Sequence, residues 1–258
     1  MPTVISIINH KGGVGKTTSA VNIAAGLGEL GEKVLLIDVD PQGSASLSLG
    51  VRSEGEELLH ALRTTGPLPV TPSVAPGVDL VPSGPTFAEA RHRFSGEVGR
   101  ELMKRCMART EGDWQWVIFD CPPTLEILTQ NALRASRYVV IPVEAHFLGL
   151  SGLQHMLAMI EAEKAHHPGL EISAVIPCRA HPRRRVHQQI MAELERLFPG
   201  HVSPIVRENV ALTEAPGAGK PVFQYAPRSH GTEDYRAVTD WLYLHITGKP
   251  APARPGVA

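Results

Sequence analysis

The string NHKGGVGKTT, residues 9–18, constrains this chain more than any other feature. It follows a short apolar run, Val4-Ile5-Ser6-Ile7-Ile8, and precedes apolar positions at helical spacing, Ala20, Val21, Ala24, Leu27 and Leu30. A strand that enters a glycine-rich turn and leaves as a helix is where a phosphate-binding loop belongs. Gly12, Gly13 and Gly15 let the backbone turn tightly around Val14 and aim N–H groups inward as an anion nest. The helix beginning near Lys16 adds the positive end of its dipole. Lys16 supplies a mobile cation for β- and γ-phosphates, the Thr17 hydroxyl can ligate magnesium, and Thr18 is placed to hydrogen-bond an α-phosphate oxygen.

The rest of the chain repeats one unit. Val34-Leu35-Leu36-Ile37, Trp116-Val117-Ile118-Phe119, Tyr138-Val139-Val140-Ile141 and Ile172–Ile176 are continuous apolar runs, as suits parallel strands covered on both faces. Helical stretches are expected near 125–136, 150–165, 185–198 and 232–246. Strands alternating with helices predict a single α/β domain over residues 1–247, a mostly parallel twisted sheet with helices on both faces, of the P-loop NTPase type. Residues 64–86 predict a loop and a short strand, Val78–Val81, and residues 248–258 a disordered tail.

Three acids stand at the ends of two of the strands. The run VLLID ends in Asp38-Val39-Asp40-Pro41-Gln42-Gly43, and Trp116–Phe119 ends at Asp120, followed by Cys121-Pro122-Pro123. Carboxylates at the carboxyl ends of parallel strands face the crevice where such sheets bind ligands. One of the first pair can position an attacking water or hold a magnesium-bound water, and Asp120 stands in the Walker-B arrangement.

The loop departs from the ordinary pattern in one way. His10 occupies the position of the first glycine, and a second lysine, Lys11, stands at the entrance. With the DVDPQG and DCPP strings, this resembles the deviant Walker-A class of the ParA, MinD and nitrogenase iron protein superfamily. The stretches TLEILTQNALRASRYVVIPVEAHFLGLSGLQ and RENVALTEAPGAGKPV resemble its ParA/Soj branch. The resemblance implies an ATP hydrolase using Mg2+, in which Lys11 reaches across a nucleotide-sandwich homodimer to the partner's phosphates. It implies that Lys11, Lys16 and Asp40 carry catalysis, with Asp40 orienting the water. Thr17, Asp38 and Asp120 would then serve the metal, and Asn209 the adenine. Arg207 stands where that family has proline. The resemblance further implies a DNA-segregation switch for a chromosome or plasmid, bound to DNA without sequence preference in its ATP state and stimulated by a ParB-like partner. The basic residues Arg183, Arg184, Arg185, Lys220 and Arg228 are the candidates for DNA contact.

Composition narrows the alternatives. With 25 Lys and Arg against 26 Asp and Glu, no global field draws the chain to nucleic acid, so DNA affinity must be local. Neither a signal peptide nor an apolar run approaching the ~20 residues of a membrane span is present, which predicts a cytoplasmic protein with no membrane partner, and the resemblance implies that it associates with the nucleoid. A MinD-type membrane-cycling regulator would need a basic amphipathic C-terminal helix, which GKPAPARPGVA lacks; that type and a switch positioning a protein cargo are the alternatives. Cys106, Cys121 and Cys178 read as packing residues rather than cluster ligands, and the 12 histidines show no metal-ligand spacing. A small-molecule amidoligase would use the same loop, and nothing identifies its second substrate. Strand one starting at residue 3 leaves no room for a helix-turn-helix domain before it, so autorepression is not expected.

Overall fold

A computed structural model describes residues 1–124, 126–145, 153–181 and 184–254. Among the described residues, eight strands form one sheet in the order β3-β4-β2-β5-β1-β6-β7-β8. They are β1 (Thr3–Ile7), β2 (Val34–Asp38), β3 (Thr71–Ala75), β4 (Val78–Val81), β5 (Trp116–Asp120), β6 (Tyr138–Glu144), β7 (Glu171–Ala180) and β8 (Val206–Arg207). All neighbours run parallel except the edge pair β3–β4.

The aliphatic runs sort onto two faces residue by residue. Leu35 and Ile37, Val117 and Phe119, and Val139 and Ile141 join one core; Val34 and Leu36, Trp116 and Ile118, and Val140 join the other. Side chains alternate along a strand, so burying both faces demands an unbroken apolar run. The helices are α1 (Lys16–Glu29), α2 (Ser44–Ser48), α3 (Glu56–Thr64), α4 (Leu102–Met107), α5 (Ile127–Ala135), α6 (Leu153–Lys164), α7 (Arg185–Leu197), α8 (Val210–Glu214) and α9 (His230–Thr247), with shorter helical turns between. Apolar residues of α3 to α7 complete the first core, and those of α1 and α9 the second. The α1–α9 contact explains a glycine in mid-helix, which costs about 1 kcal/mol against alanine. A Cβ on Gly26 would lie 2.4 Å from Thr239 Oγ1.

The single domain, the parallel sheet and the four expected helices are present, within the described residues. Two expectations need correction. Residues 64–86 hold a second strand, β3, whose Pro72 is tolerated at the sheet edge because proline cannot donate to a ladder. The expected tail is also held as far as residue 254. Arg254 is mostly buried, with Nη2 2.6 Å from Asp240 Oδ1 and Nε 3.3 Å from Glu29 Oε2, which ties the chain end to α9 and α1. Residues 255–258 lie outside the described residues.

Candidate functional site

β1 lies inside the sheet between β5 and β6, and it delivers the glycine-rich loop to the carboxyl ends of its neighbours. Gly13 and Gly15 take left-handed φ angles of 76° and 100°, which side-chain-bearing residues rarely adopt. Gly15 is also the N-cap of α1, so no side chain caps the helix. The N–H groups of Lys16, Thr17 and Thr18 precede the first intrahelical bond, from Ser19 N–H to Gly15 O at 2.8 Å. These three residues line a cleft of about 400 Å³ together with Gly12 to Gly15 and Asp40. Uncapped donors at a helix N-terminus form an anion site. Lys16 is 7% exposed, and its Nζ donates to the Lys11 carbonyl at 3.0 Å. Burial lowers its pKa, while the charges of Asp120 and Asp40 oppose that shift.

Asp38 and Asp120 end adjacent strands in direct register, and both are fully buried. Their situations differ. Asp38 Oδ2 accepts from Ser46 N (2.9 Å) and Ser46 Oγ (2.8 Å), and Oδ1 from Asp40 N (3.1 Å). Burial pushes its pKa up to about 7. Among the described residues, neither Asp120 oxygen has a hydrogen-bond partner within bonding distance, and the nearby donor is the Thr17 hydroxyl. Burial and then the Asp38 charge raise its pKa, whereas Thr17 and Lys16 act to lower it. Of the two acids expected at the metal, Asp38 is therefore already committed to α2, and Asp120 is the open one. A buried carboxylate without donors, facing a threonine hydroxyl at a phosphate cradle, fits a hydrated divalent cation. Asp40 lies beyond the strand at the cleft wall, 9% exposed, with Oδ1 accepting from Gln42 N at 3.0 Å.

A prediction arises here. Both raised carboxylates favour their neutral forms in the folded state, so that contribution is present at acid pH and lost as pH rises through the folded pKa. Asp120→Asn at pH 8 should melt above wild type without metal, by about 2–4 °C per kcal/mol of relieved charge burial. It should gain no further stability from magnesium in the presence of nucleotide. Calorimetry with and without the metal checks both.

The opposite wall is built by Val206 to Asn209 and by Leu212 and Thr213 of α8. Arg207 does not present its guanidinium there. Its Nη2 lies 2.6 Å from Asp234 Oδ1 and 3.1 Å from Glu233 Oε2, and its N–H donates to Asp234 Oδ2. The residue in the proline position thus fastens β8 to α9. Asn209 lines the cleft, but its Oδ1 caps α8 by accepting from Ala211 N at 2.9 Å. Its amide N–H₂ is the group left for a base edge, rather than the donor and acceptor together. Sequence reasoning missed Tyr235, whose hydroxyl meets Ser19 Oγ at 3.0 Å and pins α9 to α1 beneath the cleft. It also missed Cys178 under Gly15 and Arg179 beside it as cleft-lining residues.

Lys11 lies near the loop, and its Nζ donates to Glu144 Oε2 of the same chain at 2.9 Å. Arg184, Arg185, Lys220 and Arg228 are all exposed, the first two at the start of α7 and the others before α9. Arg183 lies outside the described residues. Among the described residues, no helix is long and apolar enough to cross a membrane.

The family model described as an AAA domain matches residues 2–172. The chain is 38% identical over 244 residues to the chromosome-partitioning ATPase Soj of Thermus thermophilus, covering 94% of this chain and 96% of that one. It is 35% identical over 242 residues to the sporulation initiation inhibitor protein Soj of Bacillus subtilis, covering 91% and 96%. The chain belongs to the ParA/Soj family of partitioning ATPases. The fold extends further: a crystal structure of cobyrinic acid a,c-diamide synthase from Mycobacterium smegmatis, with bound ATP analogue and magnesium, matches with a TM-score of 0.78 at 27% identity. That match covers 98% of this chain and 99% of the other. In this ParA/Soj chain the glycine-rich loop, Asp40 just past β2, Pro123 after β5 and the wall at β8 surround one cleft.

Proposed function

We propose that this ParA/Soj-family chain is an ATP-driven switch for DNA segregation, moving a chromosome or plasmid in the nucleoid. The observation that carries the reading is the pairing of a complete phosphate cradle with a second lysine at its entrance, Lys11, whose side chain is 36% exposed. ATP enters with its phosphates on the N–H groups of residues 12–18 and its γ-phosphate beside Lys16. The Thr17 hydroxyl and the Asp120 carboxylate would hold magnesium, which would neutralise phosphate charge. Asp40 orients a water and draws its proton as the water oxygen bonds to the γ-phosphorus. The bond to the β–γ bridging oxygen breaks, leaving ADP and inorganic phosphate. The Asn209 amide donates to the adenine edge.

In this account Lys11 from each subunit reaches the phosphates of the other, so nucleotide and homodimer stabilise each other. The dimer presents Arg183, Arg184, Arg185, Lys220 and Arg228 to DNA phosphates, contacts that carry no sequence information. A ParB-like partner stimulates hydrolysis and releases the DNA.

Lys11→Ala tests the dimer directly. The variant keeps the backbone carbonyl that holds Lys16, so its monomer should bind ATP within about threefold of wild type, well inside the tenfold that 1.4 kcal/mol represents. It should lose the dimer that wild type forms with a non-hydrolysable ATP analogue in sedimentation velocity. A Lys11→Ala protein that dimerises normally would remove the sandwich arrangement.

A further inference from the structure

Two cations beside the phosphate loop share one carboxylate. Glu144 closes β6, which lies between β1 and β7. Its carboxylate therefore stands between the loop that leaves β1 and the end of β7. Glu144 Oε2 accepts from Lys11 Nζ at 2.9 Å, and Oε1 from Arg179 Nη1 at 3.4 Å. The Glu144 side chain is 20% exposed, the most sheltered of the three. Both cations hold its carboxyl below the usual range, Lys11 more strongly than Arg179, so it is charged at neutral pH.

The backbone of Lys11 is fixed. Its N–H donates to Asn9 Oδ1 at 3.0 Å, and its carbonyl takes the Lys16 ammonium at 3.0 Å. The part of Lys11 that can move is the side chain, and Glu144 holds its end. Arg179 is a further cleft-lining cation and sits at φ 51°, a left-handed conformation that non-glycine residues seldom adopt. One ammonium cannot serve the Glu144 carboxylate and another subunit's phosphates at full strength together.

We infer that Glu144 is the resting-state latch of the switch: it holds Lys11 within its own subunit, with Arg179 as a second tether, and must release Lys11 for the dimer to form. Its effect on dimerisation rests on the reading above, while the latch itself can be tested without any dimer. Glu144 is a positioning residue that acts through Lys11.

The test compares the full chain with Glu144→Gln. First, both proteins, free of nucleotide, are treated with trace acetic anhydride, and mass spectrometry follows acylation of Lys11 against the exposed Lys220 and Lys249. Lys11 should react faster in Glu144→Gln by up to about fivefold, the range of a partly exposed ion pair, with the reference lysines unchanged. Equal Lys11 labelling in the two proteins would overturn the latch. Second, sedimentation with the ATP analogue should show Glu144→Gln dimerising at lower protein concentration than wild type, again by up to about fivefold. A variant that needs more protein than wild type would overturn the latch by showing that Glu144 supports the dimer. Faster labelling with no dimer in either protein would uphold the latch and remove the dimerising switch instead.

Discussion

Lys16→Ala should abolish nucleotide binding while leaving the fold intact. The Lys16 ammonium is nearly buried between the phosphate loop and the acids Asp40 and Asp120, and the hydrogen bond it makes is to the Lys11 carbonyl. Removing it costs the folded chain little, because burial already disfavours its charge. Bound triphosphate, by contrast, brings negative charge to a cleft lined by Asp40, with Lys16 the ammonium that meets it. Two lost charge-assisted hydrogen bonds at about 1.5–3 kcal/mol each weaken ATP binding by roughly 10²-fold or more. Isothermal titration with ATP and magnesium, beside a thermal melt of each protein, measures both sides. Binding at wild-type strength would refute the loop assignment.

Asp40→Ala should separate binding from hydrolysis. Asp40 lines the cleft and is almost buried, yet it lies past the end of β2 and is not part of the glycine-rich loop or of α1. Its one side-chain hydrogen bond, from Gln42 N, shapes the turn before α2 and is worth about 1 kcal/mol. ATP affinity should therefore stay within about threefold of wild type. Loss of a group that orients water and takes its proton should slow turnover by about 10²–10⁴-fold. The protein would accumulate as the ATP-bound dimer. Rapid hydrolysis by Asp40→Ala would move the water-orienting role to another group in the cleft.

How far these residues could be read in the sequence depends on how local their partners are. The phosphate loop was legible because strand, glycines, lysine and helix are contiguous, and the left-handed angles at Gly13 and Gly15 are properties of single residues. The central strands were legible because burial on two faces writes itself as an unbroken apolar run. α3 was missed: EELLHALRT is short, and its start is set by a left-handed Gly55 rather than a capping side chain. β8 is two residues long, below any periodicity. The Pro- and Gly-rich chain end read as disorder, since nothing local announces that Arg254 meets Glu29 across the fold.

The site showed the same division. Asp38, Asp40 and Asp120 stood out in the sequence by their places at strand ends, but nothing there showed that Ser46 occupies Asp38 and not Asp120. Glu144 is 133 residues from Lys11, and Tyr235 is 216 from Ser19. Those pairings exist only because the sheet order sets β1 beside β6 and because α9 packs on α1. Arg207, at the position where the family has proline, gave no local sign that Asp234 and Glu233 turn its guanidinium toward α9.

The most direct test of the switch is a DNA gel shift with the intact protein, using two unrelated duplexes, without nucleotide, with ADP and with ATP, at two salt concentrations. A segregation switch predicts binding with ATP alone, equal on both duplexes and at least tenfold weaker at the higher salt, as phosphate neutralisation requires. Asp40→Ala should show the same binding and hold it longer. No binding in any nucleotide state would contradict the DNA-segregation reading, and would direct this ATPase toward a protein or membrane surface.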